Sequence, residues 1–149
     1  MSHKALVNGH LAVYFGHMAP LDRLMDAVSD QLRIARIRRG YPPSVFRTLR
    51  DALGLSDAEL AAHLHIPRRT LTRRLRAKAF SPEESDRMAR LASVFAKAAR
   101  LFGPAEAQAW MKSPLEALAG ETPLRRCDTT LGAAEVEDVL GRVDYGVYS

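Results

Sequence analysis

The sequence carries the same signal for the start of a helix three times. The tetrapeptide Ser-x-x-Glu occurs at Ser56–Glu59, Ser81–Glu84 and Ser113–Glu116. In such a capping box the serine hydroxyl accepts a hydrogen bond from the glutamate amide, and the glutamate carboxylate accepts one from the serine amide. Apolar residues follow at intervals of three and four, and no segment alternates apolar and polar residues as a strand would. The sequence therefore predicts an all-α fold.

Glycine residues indicate where the predicted helices end. Gly40, Gly54, Gly103, Gly120 and Gly146 each follow a segment with helical periodicity. Glycine readily adopts the left-handed conformation that closes many helices. With these stops, the predicted helices are residues 20–39, 44–53, 56–64, 68–77, 81–102, 113–119 and 129–145.

Apolar stripes predict which faces of these helices are buried. In the first helix the stripe consists of Leu21, Leu24, Met25, Val28, Leu32 and Ala35. In the last helix it consists of Val136, Val139, Leu140 and Val143, which periodicity alone cannot divide between a core and a surface for a partner. We expect Trp110 to lie in the core of the C-terminal part, with Phe102 and Leu118 nearby.

Composition narrows the class of protein. A chain of 149 residues, 47% of them hydrophobic, is enough for about one domain with a real core. Its one cysteine, Cys127, cannot form an internal disulfide, so nothing points to an oxidising compartment. The first twenty residues lack the pattern of a secretion signal, and no segment is apolar enough to span a membrane. We therefore expect a cytoplasmic protein.

Positive charge is concentrated in the middle of the chain. Residues 33–78 contain 12 Lys and Arg against 3 Asp and Glu, whereas residues 79–149 contain 8 against 11. A local basic region of this kind is expected in a protein that binds a polyanion such as nucleic acid. The alternative is a basic face that is solvated and binds nothing.

The densest part of the basic region resembles a helix-turn-helix. Two short predicted helices, residues 56–64 and 68–77, are joined by a three-residue break, with the small Ala61 where they must pack closely. In this motif the second helix enters the major groove, where arginine can bind guanine through two hydrogen bonds. Leu71 and Leu75 would hold this helix to the domain. The predicted DNA-binding residues are Arg68, Arg69, Thr70, Thr72, Arg73 and Arg76.

Two positions depart from the usual motif. His65 stands where the turn commonly has glycine, so it must adopt a left-handed or nearby conformation. Pro67 occupies the place of the usual polar cap. A plain helical hairpin remains the alternative, although the charge on the second helix favours DNA binding. Because such motifs usually bind as dimers, residues 20–39 are either part of a dimer contact or a core helix.

The sequence offers little for catalysis or metal binding. His63 and His65 are two residues apart, but no third ligand is spaced to join them in a zinc site. Arg125 and Arg126 could lower the pKa of the Cys127 thiol, yet no base is placed beside it. A glycine-rich phosphate loop and a nucleophile elbow are both absent. We expect no enzyme activity, no catalytic residues, no metal and no cofactor.

From about Arg47 to the last residue, the chain resembles the antitoxins of the Xre/MbcA/ParS group, the partners of RES-domain toxins. Four segments carry the resemblance: LGLSDAELAAHLHIPRRTLTRRL, SPEESDRMARLASV, LFGPAEAQAWMKSPLEALAGETPL and TTLGAAEVEDVLGRVDYGVYS. The first is general to Xre-like DNA-binding domains, and the others are specific to the group. The first 40 residues match nothing we can place.

The resemblance implies a protein of two functional parts. Residues 1–40 would be an N-terminal extension, 41–100 the DNA-binding domain and 101–149 the toxin-binding domain. The DNA-binding domain would bind double-stranded operator DNA and repress the protein's own operon. The toxin-binding domain would cover the active site of a toxin that depletes NAD⁺, with residues 127–149 as the neutralising surface. The expected assembly is a homodimer within a toxin–antitoxin hetero-oligomer.

The terminal segment combines polar groups with tyrosines, which suits a helix that lies in a partner's cleft. The predicted toxin-binding residues are Gly132, Glu135, Arg142, Tyr145 and Tyr148. An ordinary packed terminal helix would show the same periodicity. The alternative function is a stand-alone dimeric helix-turn-helix transcription regulator without a toxin partner.

Overall fold

A computed structural model describes residues 30–146, and this range contains helices and no strand. The prediction of an all-α fold is therefore confirmed for the part described. The elements are α1 (Asp30–Arg39), α2 (Pro43–Leu53), α3 (Asp57–His63), α4 (Arg68–Arg76), α5 (Pro82–Phe102), α6 (Pro104–Met111), a 3₁₀ turn (Glu116–Leu118), α7 (Pro123–Arg126) and α8 (Thr130–Asp144). No helix in this range is long and apolar enough to cross a membrane.

Two of the three predicted capping boxes form. The Ser56 hydroxyl accepts from the Glu59 amide at 3.1 Å, and the Glu59 carboxylate accepts from the Ser56 amide at 2.7 Å. Ser81 and Glu84 make the same reciprocal pair at 3.1 and 2.8 Å. These bonds satisfy backbone amides that the first turns of α3 and α5 would otherwise leave unpaired.

The third predicted helix start is wrong. The Ser113 hydroxyl donates to the carbonyl of Ala109 in α6 at 2.9 Å and caps nothing. Leu115 is extended, and its amide donates to the Glu121 carbonyl at 3.1 Å. The hydrogen bond between Leu115 and Glu121 therefore closes a turn in place of the predicted helix, and only a 3₁₀ turn forms there.

The buried face of helix α1 differs from the one predicted. Residues 21–28 of the stripe lie outside the described residues, while Leu32 is 55% exposed and Ala35 is exposed as well. Ile37 packs against the core instead. The predicted inward face is therefore wrong at Leu32 and Ala35.

Helix α5 is the centre of the fold, with α1, α2, α6 and α8 packed around it. Its Val94 and Phe95 are fully buried together with Phe46 of α2 and Val136 of α8. Each such side chain stabilises the fold by about 1.5–3 kcal/mol through removal of apolar surface from water. The buried residues form one continuous cluster from Tyr41 to Leu140.

Helix α6, which no helix signal in the sequence indicated, connects the C-terminal part to α2. The Gln108 amide donates to the Ala52 carbonyl at 3.1 Å, and the Lys112 ammonium donates to the Gly54 carbonyl at 3.0 Å. Trp110 of the same helix is partly buried, with its ring 5.4 Å from that of Phe102. The division of the chain at residue 100 stays a prediction, and α5 lies on both sides of it.

Candidate nucleic-acid interface and carboxy-terminal surface

Helices α3 and α4 form the predicted helix-turn-helix. Ala61 is buried at the crossing, and its carbonyl accepts from the Ile66 amide at 2.8 Å. Between them, His65 has a φ of 54°, which confirms its predicted left-handed conformation. Leu71 is buried and Leu75 partly buried, so both hold α4 to the core as predicted.

The start of α4 has no side-chain cap, because Pro67 stands at that position. The proline fixes φ near −58° and so directs the chain into the helix. The Thr72 hydroxyl donates back to the Arg68 carbonyl at 3.1 Å, and Thr72 is exposed while Thr70 is half-buried. Both threonines therefore belong to the first two turns of α4, the part that reads base edges in this motif.

The arginines of α4 fall into two classes. The Arg74 guanidinium pairs with the Glu84 carboxylate at 2.8 Å. The other four are exposed, and none of them has an acidic partner among residues 30–146. These four lie with Thr72 on one solvent-exposed face of α4: Arg68, Arg69, Arg73 and Arg76. This face of α4 therefore carries uncompensated positive charge, which is what a DNA-binding surface requires.

The Arg74–Glu84 pair was not predicted from the sequence. Glu84 is only 7% exposed, and burial alone would raise the pKa of its carboxyl. The hydrogen bonds from the Ser81 amide and from Arg74 outweigh burial and hold that pKa below its ordinary value of 4.5. The ionised carboxylate therefore serves both as the cap of α5 and as the anchor of the C-terminal end of α4.

At the other end of the chain, α8 begins at a tight contact with α7. The Thr129 hydroxyl caps α8 by accepting from the Gly132 amide at 2.9 Å. Gly132 is buried, and a Cβ atom there would overlap the carbonyl oxygen of Arg126. Gly132, predicted as a toxin contact, thus has an evident role in packing. Its contact with a toxin stays a prediction.

The remaining predicted toxin-binding residues lie on or after α8. The Glu135 carboxylate pairs with Arg126 at 2.7 Å, and this bond raises the pKa of Arg126. Arg142 is exposed, and Tyr145 is 86% exposed. Tyr148 lies outside the described residues. Leu131, which is not among the predicted contact residues, is 75% exposed near the start of α8.

The apolar stripe of α8 is now divided. Val136, Val139 and Leu140 are buried against the core, and Val143 is partly exposed. The face of α8 that remains for a partner therefore consists of polar residues with an exposed leucine near its start and a tyrosine just after its end.

The expectation for Cys127 is wrong. Burial first, and the Glu137 carboxylate second, raise the pKa of the Cys127 thiol from 9.0 to about 12. Arg126 is turned toward Glu121 and Glu135, and Arg125 lies 3.9 Å from Asp128. Burial and Arg125 also lower the pKa of His63. Within residues 30–146 no group of three His, Cys, Asp or Glu side chains is arranged to hold a metal ion.

Comparison with known proteins identifies both halves. Residues 32–93 match the family described as "Antitoxin Xre-like helix-turn-helix domain", and residues 97–146 match "Antitoxin Xre/MbcA/ParS C-terminal toxin-binding domain". The chain is 36% identical to "Antitoxin Xre" of Yersinia enterocolitica over 116 residues, which cover 76% of this chain and 78% of that protein. It is 30% identical to "Antitoxin Xre" of Photorhabdus laumondii over 118 residues, with 77% and 80% covered. The chain therefore belongs to the Xre-type antitoxins, and it joins a helix-turn-helix domain to a C-terminal toxin-binding domain.

Proposed function

We propose that the protein neutralises a RES-domain toxin that depletes NAD⁺, and that it represses its own operon. Membership of the antitoxin family supports a toxin and DNA as partners. The observation that carries the DNA-binding half is the set of unpaired arginines on the exposed face of α4. The protein acts by binding, without catalysis, and works in the cytoplasm.

On operator DNA, α4 lies in the major groove. Arg69 and Arg73 donate to base edges, and Arg68 and Arg76 bind phosphates near the two ends of the helix. A single helix-turn-helix makes a small interface, so a homodimer on a two-fold operator supplies the remaining contact area.

The toxin is bound through α8 and the residues that follow it. Tyr145 is an exposed aromatic anchor, and a second tyrosine, Tyr148, follows three residues later in the sequence. Glu135 and Arg142 supply polar contacts at the rim. Exposed Leu131 adds apolar area at the other end of the helix. Together these residues cover the entrance to the toxin's active site.

The test is co-expression of the chain with the protein encoded next to it. A stoichiometric complex should form, and the partner should consume NAD⁺ once the antitoxin is removed under mild denaturant. Recovery of operator DNA alone, with no protein partner, would favour the stand-alone transcription regulator. A stoichiometric partner that leaves NAD⁺ intact would contradict the RES assignment and keep the antitoxin function.

Truncation is a poor test of the toxin surface. Removal of residues 129–149 would also remove Val136, Val139 and Leu140 from the shared core. Each lost side chain costs stability through lost burial and an unfilled cavity. Point changes on the exposed face of α8 are therefore the appropriate variants.

A further inference from the structure

The end of α1 is fixed against the loop that follows α4. The Phe80 amide donates to the Tyr41 carbonyl at 2.8 Å, and the Tyr41 amide donates to the Ser85 hydroxyl at 2.8 Å. Gly40 has a φ of 91°, and a Cβ atom there would overlap the Phe80 carbonyl oxygen. These contacts are buried, so the position of the last turn of α1 relative to α4 is well determined.

This contact brings further cations to the end of α4. Arg38 and Arg39 immediately precede Gly40, and Lys78 lies in the loop that Gly40 touches. Ala79 is three residues from Arg76, so their Cα atoms are at most about 11 Å apart. The basic end of α1 therefore lies beside the C-terminal end of α4.

These three cations are not neutralised within the described chain. Arg38, Arg39 and Lys78 are exposed, and none has an acidic partner among residues 30–146. Acidic side chains do occur beside α1, where Glu83 and Asp86 line a groove with Ile37. Asp86, however, pairs with Arg90 at 3.1 Å. Unpaired positive charge thus occurs on the exposed face of α4, in the loop that follows it and at the end of α1.

We propose that Arg38, Arg39 and Lys78 bind DNA backbone phosphates at the edge of the major groove that α4 enters. This inference rests on the proposed DNA-binding function and adds α1 to its interface. The nine residues of α4 span about 13 Å at 1.5 Å per residue, and the major groove is about 12 Å wide. Groups just beyond the end of this helix therefore lie near the phosphates that border the groove. We call these three residues the phosphate clamp.

DNA is a better candidate ligand for the three cations of the clamp than an acidic protein surface is. The clamp continues the unpaired arginine face of α4, and phosphates line both edges of the groove in which that face would lie. Contacts with phosphates give affinity and orientation but carry no sequence information. The clamp should therefore strengthen binding to every duplex by the same factor.

The test compares the salt dependence of DNA binding between variants. The probes are the duplex immediately upstream of the protein's own gene and a scrambled duplex of equal length, titrated by fluorescence anisotropy at several KCl concentrations. Each lost phosphate contact should flatten the plot of log K against log salt by about 0.9. Since the proposed homodimer carries each residue twice, Arg38→Gln with Arg39→Gln should flatten it by about 3.6, and Lys78→Gln by about 1.8. Both variants should weaken binding to the two duplexes equally.

Lys97→Gln is the matched control. Lys97 lies on α5 and pairs with Glu137 of α8 at 2.7 Å, so its loss removes one charge away from α4. The Lys97→Gln variant should have the same salt slope as the unmodified protein. Equal slopes for the clamp variants and Lys97→Gln would overturn the clamp. So would clamp variants that bind DNA normally and bind the toxin more weakly.

The clamp variants and Arg69→Ala together distinguish failure of the clamp from failure of the DNA-binding function. A clamp variant with an unchanged salt slope, alongside an Arg69→Ala variant without operator preference, overturns the clamp and leaves the DNA-binding function standing. If the unmodified protein binds neither duplex, both proposals fall together. Thermal unfolding measured by circular dichroism should be unchanged in the clamp variants and in Arg69→Ala, since those side chains are exposed, and lowered slightly at most in Lys97→Gln, which loses an ion pair.

Discussion

The Arg74 guanidinium and the Glu84 carboxylate lie 2.8 Å apart and join the last turn of α4 to the first turn of α5. The same carboxylate oxygen accepts from the Ser81 amide at 2.8 Å. The orientation of α4 thus depends on an ionised acid that is almost fully buried. This arrangement makes the stability of the fold sensitive to pH.

Glu84→Gln should lower the free energy of unfolding by roughly 1–3 kcal/mol at neutral pH, because a buried charged hydrogen bond is lost. The folded-state pKa of Glu84 lies below 4.5, so its contribution is present above that pH and is lost as the pH falls through the folded pKa. Urea unfolding of both proteins, at neutral pH and well below 4.5, measures the difference. The difference in unfolding free energy between the two proteins should be smaller at the acidic pH. Glu59→Gln, in the exposed capping box without an arginine partner, should show the smaller loss.

Gly132→Ala should destabilise the protein by roughly 1–3 kcal/mol, because the new methyl group must displace the Arg126 backbone. Gly141 of the same helix provides the control, since a Cβ atom there meets nothing within 4 Å. Gly141→Ala should therefore stabilise α8 by up to about 1 kcal/mol through helix propensity. Thermal unfolding of the two variants should shift in opposite directions. Shifts of the same sign would contradict the close packing inferred at Gly132.

Ala119→Gly should raise stability, because Ala119 has a left-handed φ of 56°. That conformation costs an alanine about 1–2 kcal/mol, and the added freedom of glycine in the unfolded chain cancels part of the gain. We expect a net gain of up to about 1 kcal/mol in the free energy of unfolding. Ala134→Gly, the same change on the exposed side of α8, should cost about 1 kcal/mol. A loss at both positions would show that Ala119 is not strained.

Tyr145→Ala should weaken toxin binding by about 2 kcal/mol or more, roughly thirty-fold in Kd, if Tyr145 is a central anchor. Its 86% exposure means that stability should hardly change. Isothermal titration against the purified toxin measures the effect, and Tyr145→Phe should keep most of the affinity. Operator binding by the alanine variant should match that of the unmodified protein. Normal toxin affinity in this variant would move the interface elsewhere.

Arg69→Ala and Arg73→Ala should each reduce the preference for operator over scrambled DNA by about 1–3 kcal/mol. Both side chains are exposed on α4 and unpaired within the described residues, so folding should be unaffected. Competition binding with the two duplexes measures the preference. Lys97→Ala, remote from α4, should keep it. Unchanged footprints in both arginine variants would contradict the assignment of α4 as the reading helix.

The local features of the fold could be predicted from the sequence. The caps at Ser56 and Ser81, the left-handed His65 and the buried Leu71 all depend on residues within one turn of each other. The exposed arginines of α4 were predicted in the same way, because charge and helical periodicity are both properties of a short segment, and their contact with DNA stays a prediction. The family resemblance supplied the toxin-binding half, which periodicity alone would have assigned to an ordinary packed helix.

What could not be predicted depends on contacts between distant segments. The Ser113 signal fails because Glu121 closes the turn beyond it. The pKa of the Cys127 thiol rises because the fold buries it, whatever its neighbours in sequence. The tie from Gln108 to Ala52 joins residues 56 apart. No short pattern records such pairings.

The turn at His65 also meets the toxin-binding domain just before α8, where the His65 imidazole lies 3.4 Å from the Asp128 carboxylate. Together with α5, which contributes to the core of both halves, this limits how such proteins can diversify. A chimera that takes its DNA-binding half from one relative and its toxin-binding half from another must also inherit matching surfaces on α5 and at this corner. With the toxin contact proposed above, changes of toxin partner should therefore arise more readily by substitutions on the outer face of α8 than by exchange of whole segments.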